Sequence, residues 1–75
     1  MANLNALIRM GADKALVEAV MGRESRCLTG SVSGSPVRVI LRFGQASHVM
    51  GSDENVCQAV KAAIGNNRTE IRLVA

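Results

Sequence analysis

The chain has 75 residues, a length that allows one small domain over residues 1–75. Its formal net charge is +3, which is less basic than is usual for a dedicated nucleic-acid binder. Apolar residues make up 48% and charged residues 20%, a composition typical of a globular rather than a disordered protein. Trp and Tyr are absent and Phe43 is the single Phe, so the core must be built from Val, Leu, Ile, Met and Ala. This composition argues against a large enzyme fold.

Residues 3–21 are predicted to form two short helices or one kinked helix. Gly11 interrupts the helical pattern, Asp13 is placed to cap a second helix, and Gly22 is predicted to end it. Apolar residues recur at helical spacing on both sides of Gly11, namely Leu4, Leu7 and Ile8, then Leu16, Val17, Val20 and Met21.

Three strands are predicted in the middle of the chain, over residues 25–32, 37–43 and 45–50. The second has the clearest alternation, with Val37, Val39, Leu41 and Phe43 on one side and Arg38, Ile40 and Arg42 on the other. The segment 33–36, Ser-Gly-Ser-Pro, predicts a turn before this strand, and Gly44 predicts a tight turn after it. We therefore expect a hairpin that extends into a third short strand.

A second helical region and a last strand complete the predicted domain. Ser52 is the predicted N-cap of this helix, and its apolar stripe consists of Val56, Cys57, Val60, Ala63 and Ile64. Residues 69–74 form a predicted strand with Ile71 and Leu73 on one face and Glu70, Arg72 and Val74 on the other. The order α-β-β-(β)-α-β predicts a small α+β domain, with the helices on one face of an antiparallel sheet.

Few residues are candidates for catalysis or for binding a metal or a cofactor. Ser47 and His48 are neighbours in a predicted strand, so their side chains are expected to point to opposite faces. Cys57 lies on an apolar helix stripe, and we expect Cys27 and Cys57 to be reduced and mostly buried thiols. Two Cys and one His are too few for a zinc site. We therefore predict no catalytic residue, no metal and no cofactor.

The sequence does not lead us to expect a targeting segment. The chain opens without a basic segment followed by an apolar run. No stretch approaches the roughly 18 apolar residues of a membrane span. We therefore expect a cytoplasmic protein that does not insert into a membrane.

The arginines are the most informative polar residues. Arg38 and Arg42 point the same way along the second strand, and Arg72 has the polar phase of the last strand. If those two strands pair, the three side chains form a cationic stripe on the face opposite the helices. Ile40 and Val74 lie beside them, and apolar residues among arginines suit a protein interface, although a solvated face is the alternative.

We predict from this pattern a small regulatory or adaptor protein that binds a partner protein through Arg38, Ile40, Arg42, Arg72 and Val74. The last strand runs to the chain end at Ala75 and is a candidate edge, so a homodimer is expected as a route to stability. A nucleic-acid-binding regulator that uses the same arginines is the first alternative. Thiol chemistry at Cys57 is the second.

The middle of the chain resembles the PATAN-type small effector domain of bacterial regulators. The resemblance covers residues 16–64 and rests on Leu-Thr-Gly-Ser-Val at 28–32 and on Val-Arg-Val-Ile-Leu-Arg-Phe-Gly-Gln-Ala-Ser-His-Val-Met-Gly at 37–51, followed by a helix that contains Ala59. Val49 stands where that family usually has a small residue. The resemblance implies a non-catalytic interaction module in signalling or motility. It also implies that five residues define the fold, namely Thr29, Gly30, Gly44, His48 and Gly51.

Overall fold

Two short helices open the computed structural model of the protein, which describes residues 2–74. Helix α1 spans Leu4–Arg9 and helix α2 spans Lys14–Met21, and Gly11 separates them with a φ of +81°. The side chain of Asp13 caps α2 by accepting a hydrogen bond from the amide of Leu16 at 3.1 Å. The prediction of two helices with an Asp13 cap is thus confirmed.

Four strands form one sheet in the order β1-β2-β3-β4, where β1 is Arg26–Val32, β2 is Ser35–Arg42, β3 is Gln45–Gly51 and β4 is Glu70–Leu73. The first three strands are antiparallel neighbours, but β4 runs parallel to β3. The prediction of a purely antiparallel sheet is therefore wrong. A helix lies between β3 and β4, and such a crossover returns the chain to the end at which β3 began.

Two-residue turns join the antiparallel strands, Ser33–Gly34 between β1 and β2, and Phe43–Gly44 between β2 and β3. All four turn residues have positive φ, at 51° and 81° in the first turn and 51° and 79° in the second. Such turns match the twist of the flanking strands, which is why they are favoured in tight hairpins. Phe43 thus belongs to a turn and not, as predicted, to the buried side of β2.

Helix α3 spans Glu54–Ile64, and its N-cap is Asp53 rather than the predicted Ser52. The Asp53 carboxylate accepts hydrogen bonds from the second and third amides that follow it. After the helix, the buried hydroxyl of Thr69 donates to the carbonyl oxygen of Ala46 at 2.7 Å. This bond fastens the chain beside β3 one residue before β4 begins.

The core lies between the three helices and one face of the sheet. Its fully buried larger side chains are Leu7, Leu16, Val32, Val39, Leu41, Val49, Cys57, Val60 and Ile64. The fold is therefore α+β, with helices on a single face of the sheet, as predicted. Leu73, expected beside Ile71 on the core face, is 50% exposed because it lies at the end of the short edge strand. The last strand is shorter than the predicted 69–74, because β4 already ends at Leu73, and Ala75 lies outside the described residues.

No helix within residues 2–74 has the length and apolar character needed to span a membrane.

Candidate functional site

The face of the sheet that carries no helix presents two rows of side chains, which we call the open face. Strand register places Cys27, Ile40, His48 and Glu70 side by side in one row, and Thr29, Arg38, Met50 and Arg72 in the next. Six of these eight side chains are exposed, and the two central aliphatic ones, Ile40 and Met50, are half-buried. The open face is therefore a continuous surface with an aliphatic centre and a polar margin.

The five predicted site residues do not form one stripe. β2 and β4 are not neighbours, because β3 lies between them. Arg38 and Arg72 share a row with Met50 between them. Arg42 stands four residues further along β2, about 13 Å away at the usual rise per residue. The predicted cationic stripe is thus corrected to a pair, Arg38 and Arg72, with Arg42 apart at the far end of β2.

Val74 and Ile40 lie where the predicted face requires them. Val74 follows β4 directly, donates its backbone N–H to the carbonyl oxygen of Gly51 at 2.9 Å, and is 48% exposed. Ile40 is half-buried in the first row. The alternation in β2 that placed Val37, Val39 and Leu41 inside and Arg38 outside is confirmed by their burial.

A depression of about 420 Å³ lies at one end of the open face. Its lining includes the apolar residues Pro36, Met50 and Val74 and the polar residues Thr29 and Arg38. Sequence reasoning missed Pro36 and Met50 as surface contributors. Met50 has the same phase as His48 on the third predicted strand, but only the strand order shows that it separates two arginines.

Ser47, His48 and Glu70 form a line of hydrogen bonds on the open face. His48 Nε2 lies 2.9 Å from Glu70 Oε2, and His48 Nδ1 lies 3.2 Å from Ser47 Oγ. The two neighbours lie together because the register shifts between Ile40 and Leu41, which leaves Ser47 as the extra residue of a β-bulge. The expectation that Ser47 and His48 point to opposite faces is therefore wrong.

The Ser47 hydroxyl has two hydrogen-bond neighbours. Its oxygen lies 3.1 Å from the carbonyl oxygen of Ile40, which can only accept, and 3.2 Å from His48 Nδ1. The tautomer of the imidazole decides whether Nδ1 donates to Ser47 or accepts from it. The three side chains thus tie β4 to β3 and to the bulge.

The two cysteines are both free, but they lie in opposite environments. Cys57 is fully buried on α3, as predicted, whereas Cys27 is exposed on the open face, contrary to the expectation that both are mostly buried. Burial raises the pKa of the Cys57 thiol, and the nearby Asp53 carboxylate raises that pKa further. A raised pKa disfavours the thiolate, which is the reactive form, so this environment does not support thiol chemistry at Cys57.

Metal-ligating side chains do not converge in the part of the chain that the structure describes. Among residues 2–74, no group of three His, Cys, Asp or Glu side chains is placed to hold an ion.

We compared the chain with protein-family models, with curated proteins and with solved structures, and none of the three comparisons gave a match. The resemblance to the PATAN-type domain therefore stays a prediction that rests on the motifs quoted above.

Proposed function

We propose that this protein is a small, non-catalytic cytoplasmic adaptor or regulator that binds an acidic partner protein through the open face. The supporting observation is that the helices cover one face of the sheet and leave the other bare. On that bare face, half-buried Ile40 and Met50 lie beside exposed Arg38 and Arg72. Aliphatic side chains flanked by arginine are typical of protein interfaces, in which Arg is enriched and Lys depleted.

Charge favours an acidic partner on this face. Arg38 and Arg72 form no ion pair with any carboxylate within residues 2–74, whereas the acidic group in the rows, Glu70, is bound to His48. A partner that brings carboxylates opposite the two guanidinium groups would form charge-assisted, bidentate hydrogen bonds.

Protein is favoured over nucleic acid because of what lies between the arginines. Proteins that bind single strands stack bases mainly on Phe, Tyr and Trp, and the two rows of the open face contain none of these three residue types. Glu70 on the same face would repel a phosphate backbone. Nucleic-acid binding therefore remains the rival that the experiment below must separate.

Self-association is proposed through the edge of β1, not through the open face. Asp13 covers one end of this edge, because its amide donates to the carbonyl oxygen of Ser31 and its carboxylate accepts from the Ser31 amide. Backbone hydrogen-bonding groups along a strand point alternately to its two sides, so those of Cys27 and Thr29 point to the same side as those of Ser31. No strand pairs with them there among the described residues. A second copy adding its β1 here would give a homodimer. A monomer mass by light scattering at high protein concentration would rule this out.

The open face is tested by reversing its charges. Affinity capture from native lysate is carried out with the wild type, with Arg38→Glu plus Arg72→Glu, and with Arg9→Glu plus Lys14→Glu as a matched control on α1 and α2. Both double variants change the formal net charge from +3 to −1, so they differ only in where the charge changes. We expect the partner to be retained by the control and lost from the open-face variant.

Salt and nuclease separate the two classes of partner. Capture that survives nuclease and falls only modestly with added salt supports a protein partner, because counterion release makes nucleic-acid binding fall steeply with salt. Capture that disappears with nuclease would replace the proposal by its rival. A partner lost equally from both double variants would show that the open face is not the surface used.

A further inference from the structure

The single aromatic residue of the chain lies in a backbone conformation that aromatic residues rarely adopt. Phe43 has a φ of 51° at the first position of the β2–β3 turn, and its side chain is 72% exposed. The left-handed region is unfavourable for a bulky L-residue, and hydrophobic burial does not offset that strain here because most of the ring faces solvent. Strain of this kind at an exposed side chain points to a functional role for the ring.

Phe43 is held firmly in its place. Its backbone N–H donates to Ser25 Oγ at 2.9 Å, and the N–H of Gly44 donates to the carbonyl oxygen of Glu24 at 3.1 Å. Gly44 is buried against the backbone of Arg23, since a Cβ on Gly44 would lie 3.0 Å from the Arg23 Cα. The turn is thus docked on the α2–β1 connection, and a docked turn presents its ring at little further cost in conformational entropy on binding.

The ring borders a groove of about 700 Å³ that lies between this turn and the two N-terminal helices. We call it the Phe43 groove. Its apolar contributors include Leu4, Val20 and Met21, and Met21 is itself 63% exposed. Phe and Met are among the residue types enriched at protein interfaces, and an exposed pair beside a groove exceeds the scattered apolar residues of an ordinary surface.

Two arginines and no carboxylate line the Phe43 groove within residues 2–74, namely Arg23 and Arg42. The nearest carboxylate along the chain, Glu24, is engaged by Arg26 at 3.3 Å. A segment with acidic groups beside an apolar side chain would complement both the ring and the guanidinium groups.

We propose that the Phe43 groove binds an acidic segment of a partner protein, with an apolar side chain of that segment packed against Phe43 and Met21 and its carboxylates on Arg23 and Arg42. This site is separate from the open face, since none of the residues that line it belongs to the two rows. A failure of the open face would therefore leave this proposal standing, and the reverse also holds.

The test uses a displayed library of random dodecapeptides, selected on the full chain and counted against Phe43→Asn. Asn suits the left-handed turn position and removes the ring, so the variant is expected to fold and to melt no lower than the wild type. Ile8→Gln serves as the control, because Ile8 is also 57% exposed and does not line the groove. A third variant, Arg42→Glu, tests the charge.

We expect the peptides enriched on the wild type to combine acidic with large apolar residues. Their affinity, measured by fluorescence anisotropy on synthesised peptides, should fall by about tenfold or more for Phe43→Asn, less for Arg42→Glu, and stay unchanged for Ile8→Gln. Enrichment of basic peptides, equal binding to Phe43→Asn, or no enrichment at all would overturn the proposal. So would a melting temperature of Phe43→Asn well below that of the wild type, because the ring would then serve stability.

Discussion

The two hairpin turns of this protein have the same backbone and opposite surfaces. Ser33–Gly34 and Phe43–Gly44 both have two residues at positive φ, and the first residue has a φ of 51° in each turn. Ser33 uses its hydroxyl locally, donating to the carbonyl oxygen of Met10, and thereby attaches the β1–β2 turn to α1. Phe43 makes no comparable use of its side chain and exposes an aromatic ring.

The comparison separates what the fold requires from what the surface adds. The fold requires residues that tolerate positive φ at both turns, and a small polar residue followed by Gly meets that requirement. Phe43 meets it poorly, so its presence is not explained by the hairpin. Residues that break a local rule without a gain in packing are the ones to examine for function.

The largest expected effect contrasts Phe43 with Leu41, two residues earlier on the same alternating pattern. Leu41 is 1% exposed and Phe43 is 72% exposed. Leu41→Ala should therefore lower the free energy of unfolding by about 3 kcal/mol, the sum of lost burial and a new cavity. Phe43→Ala should change it by less than about 0.5 kcal/mol, as surface substitutions do.

Urea unfolding followed by circular dichroism measures both variants against the wild type. Equal losses of unfolding free energy in the two would mean that Phe43 packs in solution as Leu41 does. The contrast between the two turns, and with it the interpretation of the exposed ring, would then be wrong.

A smaller effect is expected from the second residue of each turn. A Cβ on Gly34 would meet nothing within 4 Å, whereas one on Gly44 would lie 3.0 Å from both the Arg23 Cα and the Val20 carbonyl oxygen. Gly34→Ala should cost about 1 kcal/mol, because only the positive φ opposes it. Gly44→Ala should cost about 2–3 kcal/mol, because backbone contacts add to the same strain.

The pair is its own control, since both substitutions are Gly→Ala at φ values near 80°. Their difference in unfolding free energy measures how firmly the β2–β3 turn is docked on the α2–β1 connection. A difference near zero would mean that this turn is free to move, and Phe43 would then not be a preorganised contact.

Most of the fold could be predicted from local pattern. The period-2 alternation of β2 and the apolar stripe of α3 are physical consequences of burying one face, so they are legible in the sequence. The direction of β4 cannot be predicted in this way, because its alternating residues suit a parallel neighbour as well as an antiparallel one. The bulge at Ser47 is likewise invisible locally, because it depends on how β3 aligns with β2.

The candidate site was predictable only in part, for the same reason. Alternation predicts which residues lie on the open side of a strand, and Arg38 and Ile40 are examples. Which strands lie side by side follows from topology, and this decided that Met50 separates Arg38 from Arg72. Alternation predicts Phe43 in the core because its phase fits β2, and only the turn geometry moves it to the surface.

The smallest expected effect on unfolding free energy concerns the end of the sheet opposite Phe43. The Ser33–Gly34 turn lies at that end, and the interior is closed there. Gly51 pairs with Val37 there, and a Cβ on Gly51 would lie 3.0 Å from the Sγ of buried Cys57. Burial, followed by the Asp53 carboxylate, raises the pKa of this thiol in the folded protein. The unfolded chain, in which the thiol is solvated, keeps the ordinary value.

A raised pKa in the folded state means that the folded protein holds the proton at a pH at which the unfolded chain has lost it. The contribution of Cys57 to stability is therefore complete below the ordinary thiol pKa and is lost as the pH rises above it toward the folded value. Between those values, unfolding free energy should fall by up to about 1.4 kcal/mol per pH unit more in the wild type than in Cys57→Ala. Cys27→Ala is the matched control, since that thiol is exposed, and it should follow the wild-type profile. If the unfolding free energy falls equally steeply with alkaline pH in wild type and Cys57→Ala, water reaches the thiol. The end of the sheet near Ser33 would then be no more closed than the end that carries Phe43.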